Sequence, residues 1–141
     1  MSGATLEELR AFLATAFPQS VMEVLALGDG TARGRLAIDE RHLRPGGTVS
    51  GPVLMAVADV AMYVAILGEI GIVPLAVTTS LSINFMRKPA GDRAVIGICK
   101  LMKVGKSLAV GEVSLYSEGS DEVVAHVVGT YSIPKDRKPS A

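Results

Sequence analysis

A single carboxylate, Asp59, interrupts the apolar stretch GGTVSGPVLMAVADVAMYVAIL, which runs from Gly46 to Leu67. A carboxylate among Val, Leu, Met and Ala side chains must find hydrogen bonds or a polar cleft, because burying an unpaired charge is costly. Carboxylates in such settings are candidate general bases or nucleophiles. The alternative is a structural role, in which neighbouring hydroxyl groups or the backbone satisfy Asp59.

The start of the apolar stretch offers a second chemical group. Ser50 suits an N-cap, Pro52 suits a first helical turn, and Gly51 lets a ligand approach the backbone closely. Unpaired N–H groups near Gly51 and Val53 would carry the positive end of the helix dipole, which can hold a developing oxyanion. The simpler interpretation is that these residues only begin a helix.

The spacing of the two groups constrains how they could act together. Asp59 follows Gly51 by eight residues, so a helical rise of about 1.5 Å per residue separates them by roughly 12 Å. They cannot both touch one carbonyl group from the same chain. If two copies of the helix run antiparallel across a two-fold axis, however, Gly51 of one chain can face Asp59 of its partner.

The segments around this helix predict an α+β fold. Thr5-Leu6-Glu7-Glu8 has the pattern of a capping box, and apolar residues recur after it at helical spacing, which predicts a helix over residues 5–16. Asp29-Gly30 separates two strand-like runs and predicts a tight hairpin. Three or four long antiparallel strands are expected after the apolar helix. A sheet wrapped around that central helix would remove most of its apolar surface from water.

The boundaries follow from the same patterns. The chain of 141 residues fits one domain over residues 1–141, with an N-terminal helical region at 1–19 and a flexible tail at 134–141. The apolar runs on either side of Asp59 are far shorter than the ~20 residues that cross a bilayer, so a membrane span is not expected.

Composition excludes several functional classes. Lys+Arg and Asp+Glu are both 14, and the chain has no Trp, which argues against general nucleic-acid binding. The 49% hydrophobic content favours self-association, as a homodimer that could pair again into a homotetramer. The lone Cys99 suggests a packing thiol in a reducing compartment, and the N-terminus lacks the pattern of a secretory signal, so a cytoplasmic location is expected.

The sequence resembles the hotdog-fold acyl-CoA thioesterases, in particular the PaaI-like branch associated with phenylacetate degradation. The resemblance spans about residues 20–133 and rests on SGPVLMAVADVAMYVA, on TTSLSINFMRKPAGD and on KVGKSLAVGEVSLYSE. It implies a hotdog fold and hydrolysis of an acyl-CoA thioester to a free acid and coenzyme A. No metal or cofactor is implied, because coenzyme A is part of the substrate.

The resemblance also implies catalytic roles. In that family the Gly51 position polarises the thioester carbonyl through its amide, and the Asp59 position of the partner subunit activates water or attacks directly. A hydroxyl early in the following strand positions the water, and the match places Thr78 there, with Thr79 as the less favoured choice. The sequence departs from the family at Ser50, which replaces a His, and at two further positions: Pro52 replaces a Gly and Arg44 replaces an Asn.

Ser50 and Pro52, at the helix entry, and the remaining candidates would bind substrate. Coenzyme A carries several phosphate charges, so a neutral chain needs local basic residues; the candidates lie at strand ends or in turns and are Arg87, Lys88, Lys103 and Lys106. Arg44 could anchor a carboxylate or phosphate, or be an ordinary solvated loop charge. The acyl group would enter beside the helix, where the expected walls are Val60, Tyr63, Leu54 and Phe85.

Three other functions compete with thioester hydrolysis. The missing family His and Asn allow a non-catalytic acyl-CoA-binding protein on the same fold. A hydratase or dehydratase would need a base such as His beside the acid, but His42 and His126 both lie outside the helix entry. A purely structural oligomer leaves Asp59 unexplained.

Overall fold

The computed structural model, which describes residues 3–20 and 22–135, has the predicted order of helices and strands. A short 3₁₀ helix at Glu40–His42 interrupts the loop before the long helix. In chain order the main elements are α1 (Leu6–Ala16), β1 (Glu23–Gly28), β2 (Thr31–Leu36), α2 (Gly51–Ile70), β3 (Val77–Phe85), β4 (Val95–Val104), β5 (Leu108–Ser117) and β6 (Val123–Ser132).

Local sequence signals account for the ends of these elements. Thr5 and Glu8 form the predicted capping box at the start of α1. Asp29 and Gly30 have φ values of 53° and 72°, as a two-residue hairpin between β1 and β2 requires. Gly71, with φ 95°, ends α2 in a backbone conformation that glycine adopts without steric cost.

Helix α2 forms the centre of the core. Half of its 20 residues are buried, because the described strands form one six-stranded antiparallel sheet that curves around it. By length and composition α2 could cross a membrane, but 56% of its most apolar window is buried inside the fold. A helix that is apolar on nearly all sides is buried on nearly all sides.

The sheet has the strand order β1-β2-β4-β5-β6-β3, so β3 lies at an edge. This strand is mostly exposed on both faces, and Val77 and Phe85, at its two ends, are 52% and 55% exposed. An exposed edge strand with apolar side chains is a template for pairing with another chain.

The predicted hotdog fold, an antiparallel sheet wrapped around one long helix, is confirmed. Helix α2 has 20 residues and ends at Ile70. The assignment of residues 1–141 to one domain stays a prediction, and residues 136–141 of the predicted flexible tail lie outside the described residues.

Candidate active site

Asp59 lies in the middle of α2, and its carboxylate is held by two hydroxyl groups. Thr78, near the start of β3, donates a hydrogen bond of 2.6 Å to Oδ1. Tyr131, from β6, donates to the same oxygen over 2.7 Å. In the described part of the chain, the hydrogen bonds to this carboxylate all reach Oδ1. Oδ2 is therefore left for a water molecule or a substrate.

Tyr131 was missed in the sequence analysis. Its side chain is 3% exposed, and its hydroxyl also lies 2.9 Å from the main-chain oxygen of Asp59. Burial raises the pKa of Tyr131 far above its usual range, and the hydrogen bond to Asp59 raises it further. A signal was available, because a tyrosine in an apolar strand needs a partner for its O–H when it is buried.

The Asp59 carboxylate opens into a cleft of about 480 Å³, here called the acid cleft. Val60 and Tyr63, two of the residues expected as acyl-group walls, line it. Tyr63 donates from its hydroxyl to the main-chain oxygen of Pro74 over 3.1 Å, and burial raises its pKa. Two further aromatic side chains, Phe12 and Phe17 from the α1 region, complete an apolar wall that the sequence did not predict.

Gly51 is the first residue of α2, and Ser50 is its N-cap. The first intrahelical bond runs from Leu54 N to Ser50 O over 3.3 Å. The amides of Gly51 and Val53 lie ahead of that bond and have no intrahelical acceptor. The Ser50 side chain makes no capping bond, so its expected role as a hydroxyl cap is not seen. Pro52, in the first turn, is exposed.

The amide end of α2 opens into a second cleft of about 430 Å³, here called the amide cleft. Arg44 and Lys88 line it and are exposed, so both are placed to meet an anion. Arg87 also lines it, but its guanidinium already pairs with Glu122 at 2.9 Å. Leu54 and Phe85, two of the acyl-group walls expected beside the helix, line this cleft.

The four basic residues expected to meet coenzyme A do not lie together within one chain. Strand pairing through β6 places Phe85 of β3 level with Leu115 of β5, and Val77 level with Leu108. Arg87 and Lys88 therefore lie at one end of the sheet. Lys103, near the end of β4, and Lys106, in the turn that follows it, lie toward the other end, roughly 20–30 Å away at ~3.3 Å per strand residue.

The other candidate reactive side chains lie away from Asp59. His42 accepts a hydrogen bond from the Asp39 amide over 2.9 Å, and His126 lies 3.6 Å from Glu112 on the sheet. Cys99 is fully buried, and burial raises its pKa to about 12. Over residues 3–20 and 22–135, no three His, Cys, Asp or Glu side chains are grouped as metal ligands would be.

Comparison with known proteins points to one family. The sequence profile of the thioesterase superfamily matches residues 46–124. A protein of Thermoplasma acidophilum assigned as an esterase is 26% identical over 111 residues, which cover 79% of this chain and 82% of that protein.

Two solved structures resemble the fold. A protein of Silicibacter sp. assigned as a thioesterase is 48% identical, with a TM-score of 0.83, over 91% of this chain and 90% of that one. A mutant of the phenylacetic acid degradation protein PaaI from Thermus thermophilus is 26% identical, with a TM-score of 0.70, over 80% of this chain and 93% of that one.

Proposed function

Because the chain belongs to the thioesterase superfamily, we propose that it hydrolyses acyl-CoA thioesters to a free acid and coenzyme A. The observation that carries this proposal is the pattern of hydrogen bonds to the Asp59 carboxylate. Two hydroxyl groups fix its Oδ1 in a cleft, while Oδ2 accepts no hydrogen bond from the described chain. That arrangement suits a carboxylate that must take a proton or attack a carbonyl carbon.

The proposed reaction uses the amide of Gly51 and the carboxylate of Asp59. The amide donates to the thioester carbonyl oxygen and stabilises the negative charge that develops there. Asp59 removes a proton from water as the water oxygen bonds to the carbonyl carbon. The tetrahedral intermediate then breaks its C–S bond, and the thiolate of coenzyme A leaves and takes up the proton that Asp59 removed from water. Direct attack by Asp59, giving an anhydride that water hydrolyses, is the alternative route.

We propose that the two groups come from different subunits. In one chain they occupy the two separate clefts described above. If the exposed edges of β3 pair antiparallel across a two-fold axis, the Phe85 end of one strand meets the Val77 end of the other. The amide cleft of one subunit then adjoins the acid cleft of its partner. The chain would act as a homodimer, and pairing of two dimers would give a homotetramer.

The same pairing supports a binding mode for coenzyme A. It brings Arg87 and Lys88 of one subunit toward the sheet end that carries Lys103 and Lys106 in the other. Arg44, exposed beside the amide end of α2, adds a further cation. The acyl group would lie between the walls of both clefts, and the cell cytoplasm is the proposed location of the reaction.

Asp59→Asn tests the proposed function. The purified chain is mixed with a panel of acyl-CoAs and an aromatic disulfide reagent that reports released thiol. We expect turnover by the wild-type chain and loss of about a hundredfold or more in Asp59→Asn. Asp92→Asn, which alters an exposed loop carboxylate, is the matched control and should keep wild-type activity. Absence of turnover, or full turnover by Asp59→Asn, would contradict the proposal.

A non-catalytic acyl-CoA-binding protein is the second candidate. Ser50 and Arg44 replace two polar residues of the resembled family at the helix entry, and the Ser50 side chain makes no capping bond there. This function predicts saturable binding of acyl-CoA, measured by calorimetry, without release of coenzyme A.

A further inference from the structure

We propose that Tyr131 is a positioning residue that fixes the Asp59 carboxylate through Oδ1 and thereby directs Oδ2 toward the thioester. This inference deepens the proposed function and rests on it. The buried Tyr131 phenol lies within hydrogen-bonding distance of both the carboxylate and the main-chain oxygen of Asp59. The mechanism proposed above does not use this group.

Tyr131 is better suited to hold the carboxylate than Thr78. Its strand, β6, pairs with β5 and β3 on its two sides, whereas β3, which carries Thr78, pairs within the chain on one side only. The Tyr131 ring stacks on Tyr63, with centroids 6.3 Å apart and planes inclined by 28°. A rigid ring in a packed strand leaves its hydroxyl little freedom except rotation about the C–O bond. The position of the hydroxyl is therefore determined by the sheet, and the hydrogen bond to it fixes the position of Oδ1.

The proton that makes this bond belongs to Tyr131. Burial raises the pKa of Tyr131 well above its ordinary value, so the phenol stays a donor throughout the pH range in which a hydrolase works. A donor favours the ionised form of the carboxylate that accepts from it.

The other groups that face Asp59 do not replace this donor. Among the described residues that line the acid cleft, Tyr63 is the remaining titratable group, and its hydroxyl donates to Pro74. Segment 74–78 contributes apolar side chains and Thr78, and the α1 region contributes Ala16 and two phenylalanines. Removing the Tyr131 hydroxyl should therefore weaken the orientation of the Asp59 carboxylate and take away one of its two hydrogen-bond donors.

Tyr131→Phe removes this hydroxyl and keeps the ring. We expect kcat to fall about tenfold or more, with KM within about twofold of wild type, since the hydroxyl touches Asp59 and not the substrate. The acid limb of the kcat profile should move to higher pH. Tyr116→Phe removes the phenol oxygen from a half-buried tyrosine that lies outside both clefts, and it should keep the wild-type kcat and profile.

A second variant makes the test independent of any loss of folding. Replacement of Tyr131 by 3-fluorotyrosine through codon suppression keeps the ring and the hydroxyl but makes the phenol a stronger donor. The acid limb should then move to lower pH, opposite to Tyr131→Phe, whereas a merely structural hydroxyl would not produce shifts of opposite sign. If Tyr131→Phe does not fold, the fluorotyrosine profile decides alone.

The outcomes separate this inference from the function on which it rests. Absence of turnover by the wild-type chain overturns both. The positioning role is overturned if turnover depends on Asp59 but the Tyr131 variants keep the wild-type kcat and pH profile. That result would still support the proposed thioesterase function.

Discussion

The Thr78 hydroxyl lies 2.6 Å from Oδ1 of Asp59 and joins edge strand β3 to the central helix α2. The strand that we propose to form the subunit interface therefore also holds the acid that we propose to do the chemistry. A change in the pairing of β3 would therefore alter the hydrogen bond between Thr78 and the Asp59 carboxylate.

Thr78→Val and Thr78→Ser test this contact. Valine has nearly the shape of threonine but no hydroxyl, so kcat should fall by about tenfold, the cost of one hydrogen bond to a charged group. Serine keeps the hydroxyl and should stay within about threefold of wild type. Steady-state kinetics on the best acyl-CoA gives both values. Equal activity of the two variants would show that the hydroxyl has no part in catalysis.

Gly51→Ala should impair the amide end of α2. A Cβ at Gly51 would lie 3.1 Å from Cζ of Phe85, which is closer than ordinary van der Waals contact, and it would crowd the approach of a carbonyl oxygen to the amide. We expect kcat/KM to fall by about tenfold or more. In the double variant Gly51→Ala/Phe85→Leu the crowding by the ring is relieved. If kcat/KM recovers in the double variant, the loss in Gly51→Ala comes from the contact with the Phe85 ring and not from crowding at the Gly51 amide.

Mixed oligomers test whether the site is shared between subunits. Asp59→Asn and Gly51→Val chains are each expected to be inactive alone. A mixed dimer of the two contains one site with both groups intact, because each chain supplies what the other lacks. Unfolding and refolding a one-to-one mixture should restore about a quarter of wild-type activity, since half of the dimers are mixed and each has one working site.

The control for this experiment is the same mixture without refolding, which keeps the parent dimers apart. If refolding restores nothing while the wild-type chain regains its activity by the same procedure, then Gly51 and Asp59 act within one chain or do not act together.

Cys99 should be inert in the folded protein. Burial raises the pKa of its thiol to about 12, and nearby Glu112 adds to the effect, so the reactive thiolate is scarce at neutral pH. Iodoacetamide should leave the native chain unmodified by mass spectrometry and its activity unchanged. After unfolding in urea it should add one carbamidomethyl group. Rapid alkylation of the native protein would mean that β4 opens readily.

Much of the fold could be predicted from local signals. The capping box at Thr5 and the Asp29-Gly30 hairpin each depend on a few neighbouring residues, and both are confirmed. The apolar character of α2 predicted that strands would surround it, because a helix without a polar face must be buried on all sides. These features are set by short stretches of chain and needed no knowledge of distant contacts.

The site was predicted less completely because it depends on contacts between distant residues. Thr78 was placed beside Asp59 through a family resemblance, and the structure brings the two together. Tyr131 is 72 residues from Asp59, and its place opposite the helix follows from strand order, which periodicity does not reveal. Strand order also decides how far apart the basic residues lie. Arg87 and Lys103 are both near strand ends, but these are opposite ends of the sheet.

Helix α1 gives the acid cleft its outer wall through Phe12, and the residue that caps its C-terminus, Phe17, adds a second ring. These two side chains enclose the space next to Asp59 but make no hydrogen bond to its carboxylate. Val60 and Tyr63, which also line this cleft, lie on α2 with Asp59, so its walls come from two separate segments of the chain. If the proposed function holds, substitution of Phe12 or Phe17 should alter which acyl groups fit beside Asp59 without removing the hydrogen bonds that hold its carboxylate.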